Sequence, residues 1–233
     1  MAEKGIKVFV KGEEGILGGG RKGRREHWEK RRMGDELEFD FIYMASIQEG
    51  QIDLFGGTAA RCEYYPVLIP DEGTLREIHA LNEVLVTQLG LKPSQLVKMP
   101  HISIDGIICP ENDLKVTASI TEFLLQQSPL SVSFSEVGYF PGRGGVTVKL
   151  GIRNPDPILA FNRQFMTAVQ GKITKLNLHL TLARYVNREL FDLMNQHNII
   201  YPKSCICRSV AILKKRDKEK GPYVNIGTVD FGL

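Results

Sequence analysis

Two short stretches constrain this chain more than any other feature: Pro100-His101-Ile102-Ser103-Ile104 and Leu178-His179-Leu180-Thr181-Leu182. Each runs His, apolar, hydroxyl, apolar, and each sits inside an apolar run. Side chains alternate between the faces of a β-strand, so a His and a hydroxyl two residues later point the same way. Their apolar neighbours then face a core. Two such strands side by side would gather two imidazoles and two hydroxyls at one cleft.

The chain around these stretches is regular beyond residue 60. A strand is expected over Tyr64–Ile69, closed by Pro70-Asp71-Glu72-Gly73. Leu75, Ile78, Leu81, Leu85 and Leu89 recur at helical spacing, with Gly90 as the stop. The first His strand reads as His101–Ile108, followed by a helix from Pro110 with Leu114, Ala118, Phe123 and Leu124 on its apolar face. Leu130–Phe134 alternates as a half-buried strand, and Gly138–Gly145 reads as a turn-rich loop. A strand at Val146–Ile152 precedes a helix from Asn154-Pro155-Asp156-Pro157, and the second His strand spans Leu176–Tyr185. A helix over Asn187–His197 and strands at Cys205–Leu213 and Tyr223–Phe231 complete the order, with Lys214–Gly221 as a charged turn.

This order approximately repeats itself. It predicts an α+β fold of two similar lobes, about 61–130 and 131–233, whose antiparallel sheets are flanked by helices. The His strands would then be equivalent elements around a pseudo-two-fold cleft.

Residues 1–60 read as an N-terminal extension. Ile6–Val10 suits a short strand, and Gly18-Gly19-Gly20 leads into the densest basic run of the chain, residues 21–32. That run suits a phosphate-backbone contact, a nuclear-import signal or a solvated arm. Apolar residues return over Leu37–Phe55 and suggest packing on the main domain. No apolar run approaches the roughly 20 residues of a membrane span, and the first residues lack the apolar centre of a signal peptide. A cytoplasmic protein is expected, with a nuclear location open through the basic run. A formal charge of +3 is compatible with an anionic ligand without identifying one. Cys62, Cys109, Cys205 and Cys207 show no C-x-x-C spacing and are read as reduced structural thiols. Cys205 and Cys207 are expected to face opposite ways on their strand.

A lone His on an apolar strand is ordinarily a hydrogen-bonded structural residue, and His27, His79 and His197 lack the pattern. His79 and His197 read as surface or boundary residues of helices. It is the pairing at His101 and His179 that points to chemistry. An imidazole titrates near pH 6.5, so one ring can take a proton while another gives one. Cleavage of a phosphodiester needs both, and Ser103 and Thr181 can hydrogen-bond the non-bridging phosphate oxygens. No metal or other cofactor is called for, since no further ligands accompany the histidines, and no Gly-x-Ser-x-Gly elbow supports a serine hydrolase.

The two His-x-Ser/Thr motifs resemble those of the 2H phosphoesterase superfamily. Gly138-Tyr139-Phe140-Pro141, the strand Val146–Ile152, the helix from Pro157 and His179-Leu180-Thr181-Leu182-Ala183-Arg184 together resemble the RNA 2′,3′-cyclic phosphodiesterases, or 2′-5′ RNA ligases, over about 64–233. The resemblance implies two lobes around a cleft and metal-independent action on 2′,3′-cyclic or 2′,5′ linkages. Related enzymes cleave 2′-5′ oligoadenylates or cyclic nucleotide signals, and others mainly bind nucleotide. His101 and His179 would be the acid and base in either assignment, with Ser103 and Thr181 orienting the phosphate. Ser103 stands where Thr is commoner.

Arg184 matches an Arg that contacts phosphate in those enzymes. Tyr223, Tyr139 and Phe140 suit stacking on a base, and Arg143 a substrate phosphate. Lys214-Lys215-Arg216 reads as a solvated hairpin tip. An RNA or oligonucleotide substrate, no membrane partner and a monomeric state complete the expectation.

Overall fold

Strand β1 (Arg61–Pro70) sets the two faces of the molecule: Cys62, Tyr64 and Leu68 enter the main core, while Tyr65, Val67 and Ile69 form a small cluster on the opposite face. The computed structural model describes residues 60–232. The basic run 21–32, the Ile6–Val10 strand, His27 and the Leu37–Phe55 segment lie outside the described residues.

Helix α1 (Glu72–Thr87) starts where the Asp71 carboxylate accepts from the Thr74 amide at 3.0 Å. Its stripe of Ile78, Leu81 and Leu85 is buried, and the chain leaves through Gly90 at φ 69°. Helix α2 (Asp113–Leu124) is capped by Asn112 and buries Val116, Ile120, Phe123 and Leu124. Leu114, expected on that buried face, is exposed. Helix α3 (Asp156–Ala168) begins at Pro155 and buries Ile158, Phe161, Phe165 and Met166. Helix α4 (Arg188–Gln196) is capped by Asn187 and buries Phe191 and Met194. His79 is exposed on α1 and His197 is exposed at the end of α4.

The remaining strands are β2 (Ile102–Ser103), β3 (Ile107–Pro110), β4 (Leu130–Gly142), β5 (Gly145–Ile152), β6 (His179–Val186), β7 (Ser204–Arg216) and β8 (Val224–Asp230). They form one sheet in the order β3-β1-β2-β6-β5-β4-β7-β8, every pairing antiparallel. β1 also pairs along β7, so β1, β2, β6, β5, β4 and β7 complete a hydrogen-bonded circuit. The α-helices of the described residues, α1 to α4, pack their apolar stripes into one cluster with a single face of this sheet. Among the described residues no helix packs on the other face, where the two motifs stand.

Four local expectations change. The first His strand is split, with β2 and β3 separated at Ile104-Asp105-Gly106. A Cβ on Gly106 would stand 2.8 Å from the Tyr64 carbonyl oxygen, so the break is where the backbone runs closest against β1. Gly138–Gly142 is strand rather than loop, paired with Gly145–Lys149 around a two-residue turn at Arg143-Gly144. Pro141 is tolerated there because β7 pairs only with the start of β4, at Leu130–Ser133, and leaves that edge open.

Lys214 is not at a solvated tip. It lies within β7, its side chain 15% exposed, and pairs with Glu111 and with Asp113 at 2.7 Å. Cys205 and Cys207 face the same way, both buried, with sulfurs 3.8 Å apart. Positions two apart on a strand share a face, so the pair reinforces the core.

Candidate active site

β2 and β6 lie side by side, with Ile102 opposite Leu180, both fully buried. Counting outward from that pair, His101 stands across from Thr181 and Ser103 across from His179, on the face away from the core. The two imidazoles are therefore diagonal neighbours, with backbones roughly 7–8 Å apart. That leaves room for one tetrahedral phosphate between them.

The two histidines are held alike. His101 Nδ1 is 2.7 Å from the Met99 carbonyl oxygen, and His179 Nδ1 is 2.6 Å from that of Asn177, each two residues upstream. A carbonyl only accepts, so Nδ1–H donates in both rings and Nε2 holds the lone pair of the neutral form. Burial lowers both imidazoles below their ordinary value. The carbonyl hydrogen bonds oppose that shift. Arg184 adds to it at both rings, His179 adds to it at His101, and Lys149 at His179.

Arg184 reaches this face through an irregularity. In a regular strand it would share the core face with Leu180 and Leu182. Pairing passes from Lys149↔Thr181 to Val148↔Ala183, so β6 spends an extra residue, and it bulges again before Val146↔Val186. Leu182 and Ala183 are both buried, and Arg184 emerges exposed. A bulge beside a cleft commonly re-aims a side chain in this way.

Lys149 is the residue that sequence reasoning missed. It sits directly across from Thr181 on β5, and its ammonium lies 4.0 Å from the centre of the Phe140 ring. Phe140 in turn meets the His179 ring edge-on at 4.9 Å. The signal was the polar position of Lys149 in an otherwise alternating strand, but only the register shows which polar neighbours it joins.

The other expected site residues divide. Tyr223 lies on the same open face beyond Val67, with its ring 5.7 Å from Tyr65 and the Lys215 ammonium 4.5 Å from its centre. Burial and the Glu63 carboxylate that it hydrogen-bonds push its phenol up. Tyr139 is on the wrong face, because alternation sends it away from Phe140. It packs on Phe191 at 4.9 Å under Arg188. Arg143 is exposed at the β4–β5 turn, about 20 Å along the strands from His179 at the usual rise per residue.

A buried network steadies the approach to both motifs. Asp105 accepts from Asn162 Nδ2 at 2.8 Å, from the Thr174 amide at 3.0 Å and from the Thr174 hydroxyl, while Asn162 Oδ1 accepts from the Asp105 amide. This ties the exit of β2 to α3 and to the segment entering β6. Burial alone would raise the Asp105 carboxyl, but these donors outweigh it and hold it below its ordinary value. A cavity of about 760 Å³ between α1 and residues 197–204 contains none of these residues. Among the described residues, no three His, Cys, Asp or Glu side chains gather as a metal site would require.

The profile of the 2′-5′ RNA ligase superfamily matches residues 70–219, most of the chain and both His motifs. The chain belongs to that superfamily. Its fold is that of Escherichia coli LigT, whose apo form superposes with a TM-score of 0.50 at 11% identity, covering 75% of this chain and 100% of LigT. TT0787 of Thermus thermophilus gives 0.40 at 15% identity over 74% and 98% of the two chains. Kluyveromyces marxianus Usb1 gives 0.37 at 12% over 72% and 98%. No curated protein sequence matches. Membership in this superfamily supports a phosphoesterase activity, the coarse part of what the paired motifs led one to expect.

Proposed function

We propose that this chain is a metal-independent phosphodiesterase that cleaves 2′,3′-cyclic or 2′,5′ linkages in RNA ends or short oligonucleotides. The observation that carries the reading is the diagonal pair His101 and His179, each with Nδ1 tied back to a carbonyl and Nε2 free to exchange a proton. In hydrolysis, one Nε2 removes a proton from water as the water oxygen bonds to phosphorus. The bond from phosphorus to the ribose oxygen breaks, and the other ring protonates that oxygen. The geometry is close to symmetric, so either ring serves as base.

Ser103 and Thr181 donate to the non-bridging oxygens, and Arg184 offsets the charge that accumulates on them. These groups supply both proton transfers and the charge stabilisation without a metal. In ligation a 5′-hydroxyl takes the place of water: one ring removes its proton as its oxygen bonds to phosphorus, the bond from phosphorus to the 3′ oxygen of the cyclic phosphate breaks, and the other ring protonates that oxygen. Cyclic or 2′-5′ oligonucleotide signals share this linkage chemistry and fall within the proposed substrate class.

The test is turnover by His101→Ala and His179→Ala separately, beside equilibrium binding of 3′-AMP. Each substitution is expected to lower turnover by about 10²–10⁴-fold while nucleotide still binds. Turnover retained in both variants would remove the paired-histidine mechanism. A wild type that binds 3′-AMP but turns over no phosphodiester would make the chain a nucleotide-binding module.

A further inference from the structure

Two cations stand beside Thr181 and His179, and only one of them is needed for the scissile phosphate. Arg184 emerges exposed from β6 just beyond Thr181, and its charge is felt at both imidazoles. Lys149 is placed differently. Its backbone is across from Thr181 on the far side from His101, and its ammonium is drawn over Phe140 on β4. It is therefore displaced from the gap between the rings by about one to two strand spacings of roughly 4.8 Å.

Neither Lys149 nor Arg184 has a carboxylate partner among the described residues, whereas Lys214, Lys215 and Arg188 each do. Lys149 is also half-buried, which a lysine with no partner ordinarily avoids by reaching into water. An ammonium held in one direction by an aromatic face, with no carboxylate partner among the described residues, is prepared for an anion.

We propose that Lys149 and the face of Phe140 form a second phosphate subsite, so that the preferred substrates carry a phosphate one nucleotide step from the one being cleaved. This deepens the phosphodiesterase reading and rests on it. Oligonucleotides and nucleotides with a further phosphate fit the subsite, whereas a lone cyclic mononucleotide leaves Lys149 unused. The sheet face beyond β5 gives such a chain a path on which no helix of the described residues packs.

The test compares 3′-AMP with adenosine 3′,5′-bisphosphate, which differ by one phosphate, in equilibrium binding to the full chain. Wild type is expected to bind the bisphosphate about tenfold more tightly, the usual scale for a charged hydrogen bond. Lys149→Met is expected to bring the two affinities together while leaving 3′-AMP within about twofold, and Lys149→Arg to keep the preference. The preference should also weaken with added salt.

Equal affinities in wild type would overturn the subsite and leave the phosphodiesterase reading in place. So would a Lys149→Met variant that weakens both ligands alike, since Lys149 would then serve the common phosphate. If neither nucleotide bound wild type, both readings would fall together.

Discussion

Arg184 shows how much of the site depends on single residues that ordinary strand alternation would misplace. It acts on both histidines, and its charge, after burial, helps hold them below 6.5. Replacing it with Met should raise both imidazoles, because a nearby cation disfavours their charged form. The acidic limb of the kcat/KM profile would move to higher pH, and kcat/KM should fall by about 10–100-fold. In wild type, both histidines titrate low, and the general acid must still carry a proton. The maximum of kcat/KM is therefore expected on the acid side of pH 6.5, read from a profile at saturating and limiting substrate. The His-x-Ser/Thr pairs were legible because a period of two is a local property. Arg184 was reachable only through family resemblance. Lys149 was not reachable at all, since its neighbours Thr181 and Phe140 are set by register between strands distant in sequence.

At the scale of elements, the β4–β5 hairpin and the Asp105 network position what the residues do. Gly145 has φ 126°, and a Cβ there would come within 2.5 Å of the Val186 carbonyl oxygen. Gly145→Ala should cost about 1–3 kcal/mol, seen as a lower urea midpoint. Gly221→Ala, where a Cβ meets nothing within 4 Å, should leave the midpoint unchanged. Asp105→Ala removes the acceptor of the buried Asn162 amide and of the Thr174 amide and hydroxyl and should cost about 1–3 kcal/mol. The long strands β4 and β7 were read short for one physical reason. Gly, Pro and charged residues argue locally for turns, but cross-strand pairing at Pro141↔Val146 and burial of Lys214 against Glu111 and Asp113 override that preference. Helix positions were legible because their 3.6-residue stripes and their Asp or Asn caps are local signals.

At the scale of the whole molecule, the two histidines and three of the aspartates pull stability in one direction. A His lowered on folding binds its proton more readily in the unfolded chain, so stability is full above 6.5 and declines as pH falls toward the native value. Asp71, Asp105 and Asp113 are held below 3.8 in the native state, so their contribution is present above that value and is lost as pH falls through the native one. The urea midpoint should drop slightly from pH 7.5 to 5.5 and steeply below 4. The first drop should shrink in the His101→Ala/His179→Ala double variant. The α+β class and the element order were legible from residue 60 onward, whereas the strand circuit was not, because β1 meets β7 at positions far apart in the sequence, as Cys62 pairs with Arg216. The central claim, that two histidines cleave phosphodiesters without a metal, is tested most directly by hydrolysis in EDTA. The substrates are 2′,3′-cyclic AMP, 2′-5′ oligoadenylate, 3′-5′ oligoadenylate and cyclic dinucleotides, each with wild type and the double variant. Turnover of a 2′,3′-cyclic or 2′,5′ substrate that survives EDTA and disappears in the double variant is the predicted result. Turnover abolished by EDTA, or retained without the two histidines, would contradict it.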